Sequence, residues 1–411
     1  MSTRKSLTVP DTANANLQNR INTSIIFNYL RDQGFAYRAQ IARDLGISAP
    51  AVSRAIEKLR RDEYVIESER TPVNNGKRAA HISINAAHGY VLGIDLLTDP
   101  VEIAVSDFSG TILYTHFGKP VTEPADFSAY LLETIRGCLA DFQGKVPGRE
   151  VRILAIGIGV PAVVDPRTGA ILRASLYDRI ARTNIKADVQ AQFPVPIYLE
   201  NISNLAAIGE WKRGVNRNIR NMLFLEIGNG IGAGIIIDGD LYRGSEGSAG
   251  EIGYFLTELS GLGSANSRVG FLERRASLGA IREKTQSEGT DDATKATKGA
   301  YPSITALCEA AFAREEHAAS IFRDLVRHLA VATVNIMLLL NPEIVIVGGA
   351  VCDLPFADSL ILQPLIAEVA RNYPFTPATI LKTSLGEKAN IIGAVQFALD
   401  SFLIDMYPYR L

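Results

Sequence analysis

The most constraining feature of this sequence is a pair of short helical patterns separated by a glycine turn. Apolar residues recur at helical spacing over residues 38–45 and again over 49–60. Gly46 begins the turn between them, Ser48 is placed to cap the second helix, and Pro50 suits that helix's first turn. A third apolar stripe precedes them and ends at Gly34. On the helices alone, the pattern fits either a helix-turn-helix or an ordinary three-helix bundle.

The residues that follow favour the helix-turn-helix. Residues 64–68 and 80–84 alternate as strands, and the turn-rich loop 71–78 between them ends in two cations. Three helices and a basic-tipped hairpin form a winged helix, whose last helix enters the major groove of DNA. The hairpin cations are suited to phosphates or a minor groove. The predicted DNA-contacting residues are Ser48, Ala49, Ala51, Ser53, Arg54, Lys58, Lys77 and Arg78.

The charge distribution agrees with this assignment, although the signal is weak by itself. Residues 1–85 hold 13 Lys and Arg against 8 Asp and Glu, a net charge of +5. Residues 86–411 hold 29 against 36, a net charge of −7. We therefore predict two parts, a DNA-binding head at 1–85 and an acidic body at 86–411 that binds an effector and dimerises.

Composition limits the cellular setting. No run of about 18 apolar residues is apparent, so we expect no membrane span. Residues 1–19 are polar and lack the apolar core of a secretory signal. Cys138, Cys308 and Cys352 lie far apart in apolar segments, without disulfide or metal-site spacing. A reducing cytoplasm is the expected location.

The body has an α/β pattern that occurs twice, which predicts two lobes. In the first half, strands at 90–95, 101–105 and 111–114 precede a helix at 127–142 and a buried strand at 153–158. The second half is predicted to contain a strand at 196–199, helices at 202–213 and 314–340, a hairpin across 223–237, a surface loop at 287–299, and a strand at 343–349 that ends in a glycine turn.

The glycine-rich run at 228–234 has two interpretations. Its glycines would let backbone N–H groups approach an anion such as phosphate. The same glycines would equally suit a tight hairpin that needs them for its turn geometry alone. Spacing by itself leaves the two alternatives open.

Several motifs of the body resemble the ROK family of repressors, open reading frames and sugar kinases. The motifs are Gly157-Ile158-Gly159-Val160-Pro161, Leu199-Glu200-Asn201, Gly228 to Tyr254, Gly270-Phe271-Leu272-Glu273 and Ile344-Val345-Ile346-Val347-Gly348-Gly349. They span most of residues 89–400. A winged helix before such a body resembles the xylose- and N-acetylglucosamine-type repressors. The resemblance implies an actin-like (ribonuclease H-like) body with a sugar cleft between two lobes.

The departures from the family pattern argue against phosphoryl transfer. Leu97 stands where the kinases' first phosphate loop has a glycine, and a side chain there keeps the backbone from phosphate. Ile202 stands at the position of the catalytic aspartate and cannot accept a proton. Asn229 replaces the usual threonine of the second phosphate loop. We therefore expect no catalytic residue, no cofactor and no enzyme activity.

The family's zinc motif is also altered. At its four ligand positions this chain has Tyr254, Ser264, Asn266 and Phe271, which do not form a structural zinc ligand set. We expect no bound metal, and a buried Phe271 in place of a thiolate.

The resemblance places Asn201, Glu251 and Glu273 at sugar-contacting positions, with Tyr254 beside them. Amides and carboxylates suit paired hydrogen bonds to sugar hydroxyls, although Glu251 and Glu273 could instead be solvated or cap helices. Ile202 and Tyr254 make the site more apolar than a glucose site, so the expected effector is a modified or deoxygenated sugar; an empty site is the alternative.

The sequence therefore predicts a cytoplasmic transcription factor, a repressor of carbohydrate-metabolism genes. Its partners would be double-stranded operator DNA, a small carbohydrate-like effector and further copies of itself, as a homodimer or higher homo-oligomer. Two alternatives stay open at this point. One is an active sugar kinase with an appended DNA-binding head, and the other is a regulator whose body only docks a protein partner.

Overall fold

The computed structural model describes residues 11–68, 71–72, 78–120, 126–174, 180, 183–214, 219–263, 269–286 and 301–406. The predicted loop 287–299 lies outside these residues. Within them, an N-terminal winged helix precedes a body built on two five-stranded sheets, which confirms the predicted fold class.

The head follows the order predicted from the sequence. Its elements are α1 (Asp11–Gln33), β1 (Phe35–Tyr37), α2 (Arg38–Leu45), α3 (Ala49–Arg61), β2 (Val65–Glu67), β3 (Thr71–Pro72), β4 (Arg78–Ala79) and β5 (His81–Ile84). Strands β1, β5 and β2 form one antiparallel sheet, and β3 pairs with β4 in the wing. Strand β1 escaped the sequence analysis because three residues are too few to show alternation.

The turn between α2 and α3 has the predicted geometry. Gly46 ends α2 in the left-handed region at φ 64°, where a side chain would be strained. Gly34, at φ 77°, likewise follows α1. Two details of α3 differ from expectation. Ser48 occupies the N-cap position, but its side chain makes no capping hydrogen bond. Ala51, predicted to face outward, is only 9% exposed because its position in the first turn faces the head's core.

The first lobe contains a mixed sheet in the order β12-β9-β6-β7-β8. Strands β6, β9 and β12 are parallel, and β7 and β8 extend the sheet antiparallel. Every residue of β6 is buried, as expected for a central strand covered on both faces. The elements of this lobe are β6 (Tyr90–Asp95), β7 (Glu102–Asp107), β8 (Ile112–Phe117), α4 (Phe127–Lys145), β9 (Ile153–Val160), β10 (Val163–Val164), β11 (Ile171–Arg173), α5 (Ile185–Gln192) and β12 (Ile197–Asn201).

The second lobe contains a sheet in the order β15-β14-β13-β16-β17. The predicted hairpin is formed by β13 and β14. The remaining elements are α6 (Ile202–Arg213), β13 (Met222–Ile227), β14 (Ile231–Ile237), β15 (Asp240–Leu241), α7 (Phe271–Ala276), α8 (Leu278–Gln286), α9 (Ile304–Phe312), α10 (Glu316–Leu340), β16 (Ile344–Gly348), α11 (Gln363–Asn372), β17 (Thr379–Lys382) and α12 (Ala389–Met406).

Helices α6 and α12 pack between the two sheets at very short range. A Cβ on Gly157 of β9 would lie 2.4 Å from the Ala394 carbonyl oxygen of α12. A Cβ on Gly393 of α12 would lie 1.8 Å from the Leu205 carbonyl oxygen of α6. Because side chains at these positions would force the elements apart, the glycines set how closely the lobes approach one another.

The α12 region also qualifies the expectation that no segment could span a membrane. Gly386–Met406 is long and apolar enough to do so by length and composition alone. However, 61% of its most apolar stretch of 18 residues is buried inside the body. Its apolar side chains are therefore accounted for by packing in the core.

The head and the body share one hydrophobic core. The ring of Phe108, after β7, lies 5.4 Å from that of Phe27 in α1 and 6.2 Å from that of Phe402 in α12. Beside these rings, Arg31 of α1 is fully buried and forms an ion pair with Asp400 of α12. Burial alone would raise the pKa of Asp400, but the charges of Arg31 and Lys212 lower it. The predicted boundary between residues 85 and 86 follows β5, and it stays a prediction.

Candidate functional sites

The first candidate site is the outer face of α3. Ala49, Ser53 and Arg54 are exposed there, and Lys58 is partly exposed. Arg54 makes no hydrogen bond or ion pair with any residue that the structure describes, so its guanidinium is available to a ligand. Of the predicted DNA-contacting residues in α3, Ala51 is buried at 9% exposure and only lines the depression beside this face.

Other cations of the head are engaged within the protein. Arg38 pairs with Glu67 and lies 3.4 Å from Glu57, and Arg60 lies 3.0 Å from the same Glu57 carboxylate. These pairs link α3 to α2 and β2 across the exposed side of the helix. Glu57 lies one turn after Arg54 on the same exposed side of α3, and the two arginines that pair with Glu57 offset its negative charge there.

A surface depression continues the α3 face onto α1. Gly46, Ser48 and Arg54 line it, together with Asn19 and Asn22 in the middle of α1. The amide groups of α1 were not predicted to belong to this surface. In the wing, Lys77 lies outside the described residues, and Arg78 is the first residue of β4.

The second candidate site is a cleft between the two lobes of about 730 Å³, part of it open to solvent. The structure brings together all four residues predicted to contact an effector, since Asn201, Glu251, Tyr254 and Glu273 all line it. Leu97 and Ile202 line it as well.

Asn201 ends β12 and caps α6. Its Oδ1 accepts hydrogen bonds from the backbone N–H groups of Ser203 and Asn204, at 2.9 and 3.3 Å. Its Nδ2 donates to the Ala162 carbonyl oxygen at 3.0 Å. The amide therefore positions the first turn of α6 and retains one N–H for a ligand. Ile202 follows it and is only 5% exposed.

Glu251 and Glu273 are held by two close backbone approaches. Gly250 has φ 90°, and a Cβ there would lie 1.9 Å from the Ala233 carbonyl oxygen. A Cβ on Gly270 would lie 2.1 Å from the Gly253 carbonyl oxygen. The glycines of both motifs are thus required for packing, and they bring the two carboxylates to one wall of the cleft.

These two carboxylates are partly desolvated. Burial, and secondly the charge of Glu273, raises the pKa of Glu251, while Arg173 opposes the shift. Burial also raises the pKa of Glu273, although its Oε2 accepts a hydrogen bond from the Ile231 N–H at 3.0 Å. The Arg173 guanidinium lies 4.9 Å from the centre of the Tyr254 ring. Arg173 was not predicted as part of the site, because it lies in β11, outside the motifs that carry the family resemblance.

The sequence analysis also missed Glu226, near the end of β13. Glu226 is 8% exposed and lines the floor of the cleft. Burial and the nearby charge of Asp95, from the first lobe, raise the pKa of Glu226 to about 8. Burial likewise raises the pKa of Asp95 to about 6. The available signal was a single carboxylate within the apolar run Met222–Ile227.

The glycine loop 228–234 serves the packing of α6 in part. A Cβ on Gly232 would lie 2.4 Å from Ser203 Oγ, and one on Gly234 would lie 2.3 Å from Ala207 Cβ. Asn229, at the turn, accepts a hydrogen bond from Arg282 at 2.7 Å. A Cβ on Gly228, by contrast, would lie 4.0 Å from its nearest neighbour, the Ala350 nitrogen. Gly228 also borders the cleft. Helix packing therefore accounts for the second half of the run, within β14.

Near the altered zinc motif, Phe271 is 6% exposed, which confirms that it is buried. Ser264 and Asn266 lie outside the described residues. No group of three or more His, Cys, Asp or Glu side chains within the described parts of the chain is arranged to hold a metal ion. The absence of zinc stays a prediction.

A winged helix joined to a two-lobed body with an interlobe cleft is the architecture of a DNA-binding regulator with a ligand-binding body. A model described as the ROK family matches residues 91–401, which is most of the chain. A second model, of the iron-dependent repressor N-terminal DNA-binding domain, matches residues 24–72. The chain therefore belongs to the ROK family and carries a DNA-binding domain ahead of its ROK body.

Relatives and solved structures match most or nearly all of this chain. A xylose repressor of Caldicellulosiruptor bescii is 26% identical over 95% of this chain and 98% of its own length. A ROK family transcriptional regulator, described as a homologue of the Escherichia coli MLC protein, covers 95% of this chain and 99% of its own, with a TM-score of 0.76 and 21% identity. A ROK glucokinase of Streptomyces griseus, solved with glucose and AMPPNP, is 26% identical and covers 75% of this chain and 99% of its own, with a TM-score of 0.58.

Proposed function

We propose that this protein is a DNA-binding transcriptional repressor of carbohydrate-metabolism genes, and that its ROK body senses a carbohydrate-like effector. The observation that carries the proposal is the exposed face of α3, with an unengaged Arg54, on a head that shares a core with the effector-type body. The relatives named as repressors support it, since they match nearly the full length of the chain, head included.

Within this proposal, Arg54 and Lys58 meet bases or phosphates in the major groove, and Ser48 with the N-terminus of α3 meets a phosphate. The wing cations Lys77 and Arg78 meet the flanking backbone. The protein works in the cytoplasm as a homodimer, so that its two heads match a two-fold symmetric operator.

The effector occupies the interlobe cleft. Asn201, Glu251 and Glu273 offer hydrogen bonds to hydroxyl groups, and Tyr254 offers a ring face next to Arg173. The effector alters DNA binding only if it prefers one arrangement of the lobes over another. We propose that it prefers the arrangement in which the two heads no longer match the operator.

The test begins by selecting duplexes that the purified protein retains from a random pool, followed by anisotropy titrations with and without sugars. We expect a two-fold symmetric sequence to be enriched and one sugar class to weaken its binding. Failure to enrich any sequence would contradict the DNA-binding role. Enrichment without any response to sugars would favour a body that docks a protein partner. Light scattering of the same sample checks the dimer.

Similarity to glucokinases raises sugar phosphorylation as a second candidate function. Glucokinases, such as that of Streptomyces coelicolor, match 75% of this chain at 27% identity. Against kinase activity, Ile202 occupies the position of the proton acceptor and Leu97 projects a side chain into the cleft. We therefore propose that the body does not phosphorylate sugars, and a coupled ATP-consumption assay tests this.

A further inference from the structure

The carboxyl group of Glu226 stands apart from the other acidic groups of the cleft. It lines the cleft and is 8% exposed, yet no hydrogen-bond donor or cation among the described residues contacts it. Glu273, by contrast, accepts the Ile231 N–H, and Glu251 feels the charge of Arg173. Glu226 is therefore a largely desolvated acidic group that faces the cleft without a partner among the described residues.

A second carboxyl group near Glu226 makes the ionised form of Glu226 still less favourable. Asp95 approaches from the other lobe, and its Oδ2 is buried without a hydrogen-bond partner among the described residues. Its Oδ1 is engaged by the Leu97 N–H at 2.7 Å. Two desolvated carboxyl groups that face each other across the lobes repel when both are ionised. Either a proton or a positive charge brought by a ligand relieves that repulsion.

The chemistry of the ligand decides how well the ligand can relieve the repulsion between Glu226 and Asp95. A hydroxyl group offers a hydrogen bond and leaves the negative charge of Glu226 uncompensated. A protonated amino group offers hydrogen bonds and an opposite charge together, and charge-assisted hydrogen bonds are stronger than neutral ones. A multivalent metal ion is less well matched, because no three acidic, His or Cys side chains in the described segments converge to hold one.

We propose that Glu226 makes the cleft selective for an effector that carries a protonated amino group, with amino sugars as the chemical class. This proposal rests on the effector-binding role given to the cleft above. It concerns one residue at the floor of the cleft, whereas Asn201, Glu251 and Glu273 serve the hydroxyl groups of the same ligand.

The test compares matched ligand pairs by isothermal titration calorimetry of the full-length protein. The pairs are glucose with glucosamine, galactose with galactosamine, and mannose with mannosamine, at neutral pH. We expect the amino member of at least one pair to bind about tenfold more tightly than its parent. Glu226→Gln, which keeps the shape of the side chain, should abolish this preference and change the affinity for the parent sugar by less than about threefold. Glu246→Gln, at an exposed position, is the matched control and should behave as the wild type.

A pH series supplies a second readout. Since the pKa of Glu226 is raised to about 8 and an ammonium ligand needs the ionised form, binding releases a proton. Above the pKa of Asp95 and below the pH at which the ligand's own ammonium group loses its proton, between about pH 6.5 and 7, the affinity for the amino sugar should therefore rise by up to about tenfold per pH unit, and this slope should be lost in Glu226→Gln. Equal binding of both members, or a preference that survives Glu226→Gln, overturns the selectivity alone. Absence of binding by every sugar and amino sugar overturns both this proposal and the effector-binding role.

Discussion

Replacing Phe271 with alanine tests how the wall of the cleft is held at the altered zinc motif. The ring is 6% exposed at the beginning of α7, and the Arg275 guanidinium lies 5.4 Å from its centre. It also meets the His328 ring edge-on at 6.4 Å. Its edge lies 2.8 Å from where a Cβ on Gly261 would be, so little space is available for the surroundings to collapse. Truncating a phenyl ring in such a site costs about 3–5 kcal/mol of unfolding free energy.

Urea unfolding followed by tryptophan fluorescence and circular dichroism measures this loss. Phe375→Ala is the matched control, because that ring is 69% exposed and its removal should cost about 0.5 kcal/mol or less. A second readout is the affinity for a sugar effector, which should fall because Glu273 lies on the same short helix. A Phe271→Ala variant as stable as the Phe375→Ala variant would show that this ring does not hold the segment, and the assignment of Glu273 would be lost with it.

The remaining predictions concern DNA, catalysis and metal. Arg54→Ala should weaken specific DNA binding by about 1–3 kcal/mol in gel-shift titrations, if the guanidinium reads a base edge. Lys77→Ala combined with Arg78→Ala should weaken binding with a shallower salt dependence, and unchanged affinity in both variants would contradict the winged-helix assignment. No hexose should be phosphorylated above background with ATP and magnesium, and Ile202→Asp alone should not restore turnover because Leu97 still occupies the first phosphate loop; turnover by the unmodified protein would refute this. Elemental analysis should find well under one zinc per chain, and a chelator should leave the melting temperature unchanged, whereas stoichiometric zinc would show that the segment is misaligned.

Local patterns predicted the elements whose residues decide their own conformation. The first and last residues of α2 and of α6 were predicted correctly, because a glycine or a capping residue marks most of these boundaries. The strand β6 was likewise found whole from its apolar run. Ala51 was misplaced, since a small residue in the first turn of α3 has no chemical signature that says which neighbour covers it.

The cleft shows the limit of sequence reasoning more clearly. Asn201, Glu251 and Glu273 were found through motifs, whose glycines the structure explains by close backbone contact. Glu226 has no motif, and its environment depends on Asp95, which is distant in sequence and belongs to the other lobe. Only the packing of α6 and α12 between the sheets brings these two carboxyl groups together.

Helix α12 is a continuous helix that extends from the cleft to the DNA-binding head. Asn390, in its first turn, lies beside Asp95 at the cleft floor and opposes the rise in the pKa of that carboxyl group, and Asp400 pairs with Arg31 of α1. These two positions are ten residues apart, about 15 Å along the axis at 1.5 Å per residue. A tilt of about 10° at the cleft end would therefore carry the Arg31 contact about 3 Å sideways. Within the described residues, the core of the head is continuous with that of the body, so a displacement of α12 would act directly on the head. If the cleft binds an effector as proposed, α12 is the element through which a movement at the cleft floor would change the position of the DNA-binding head.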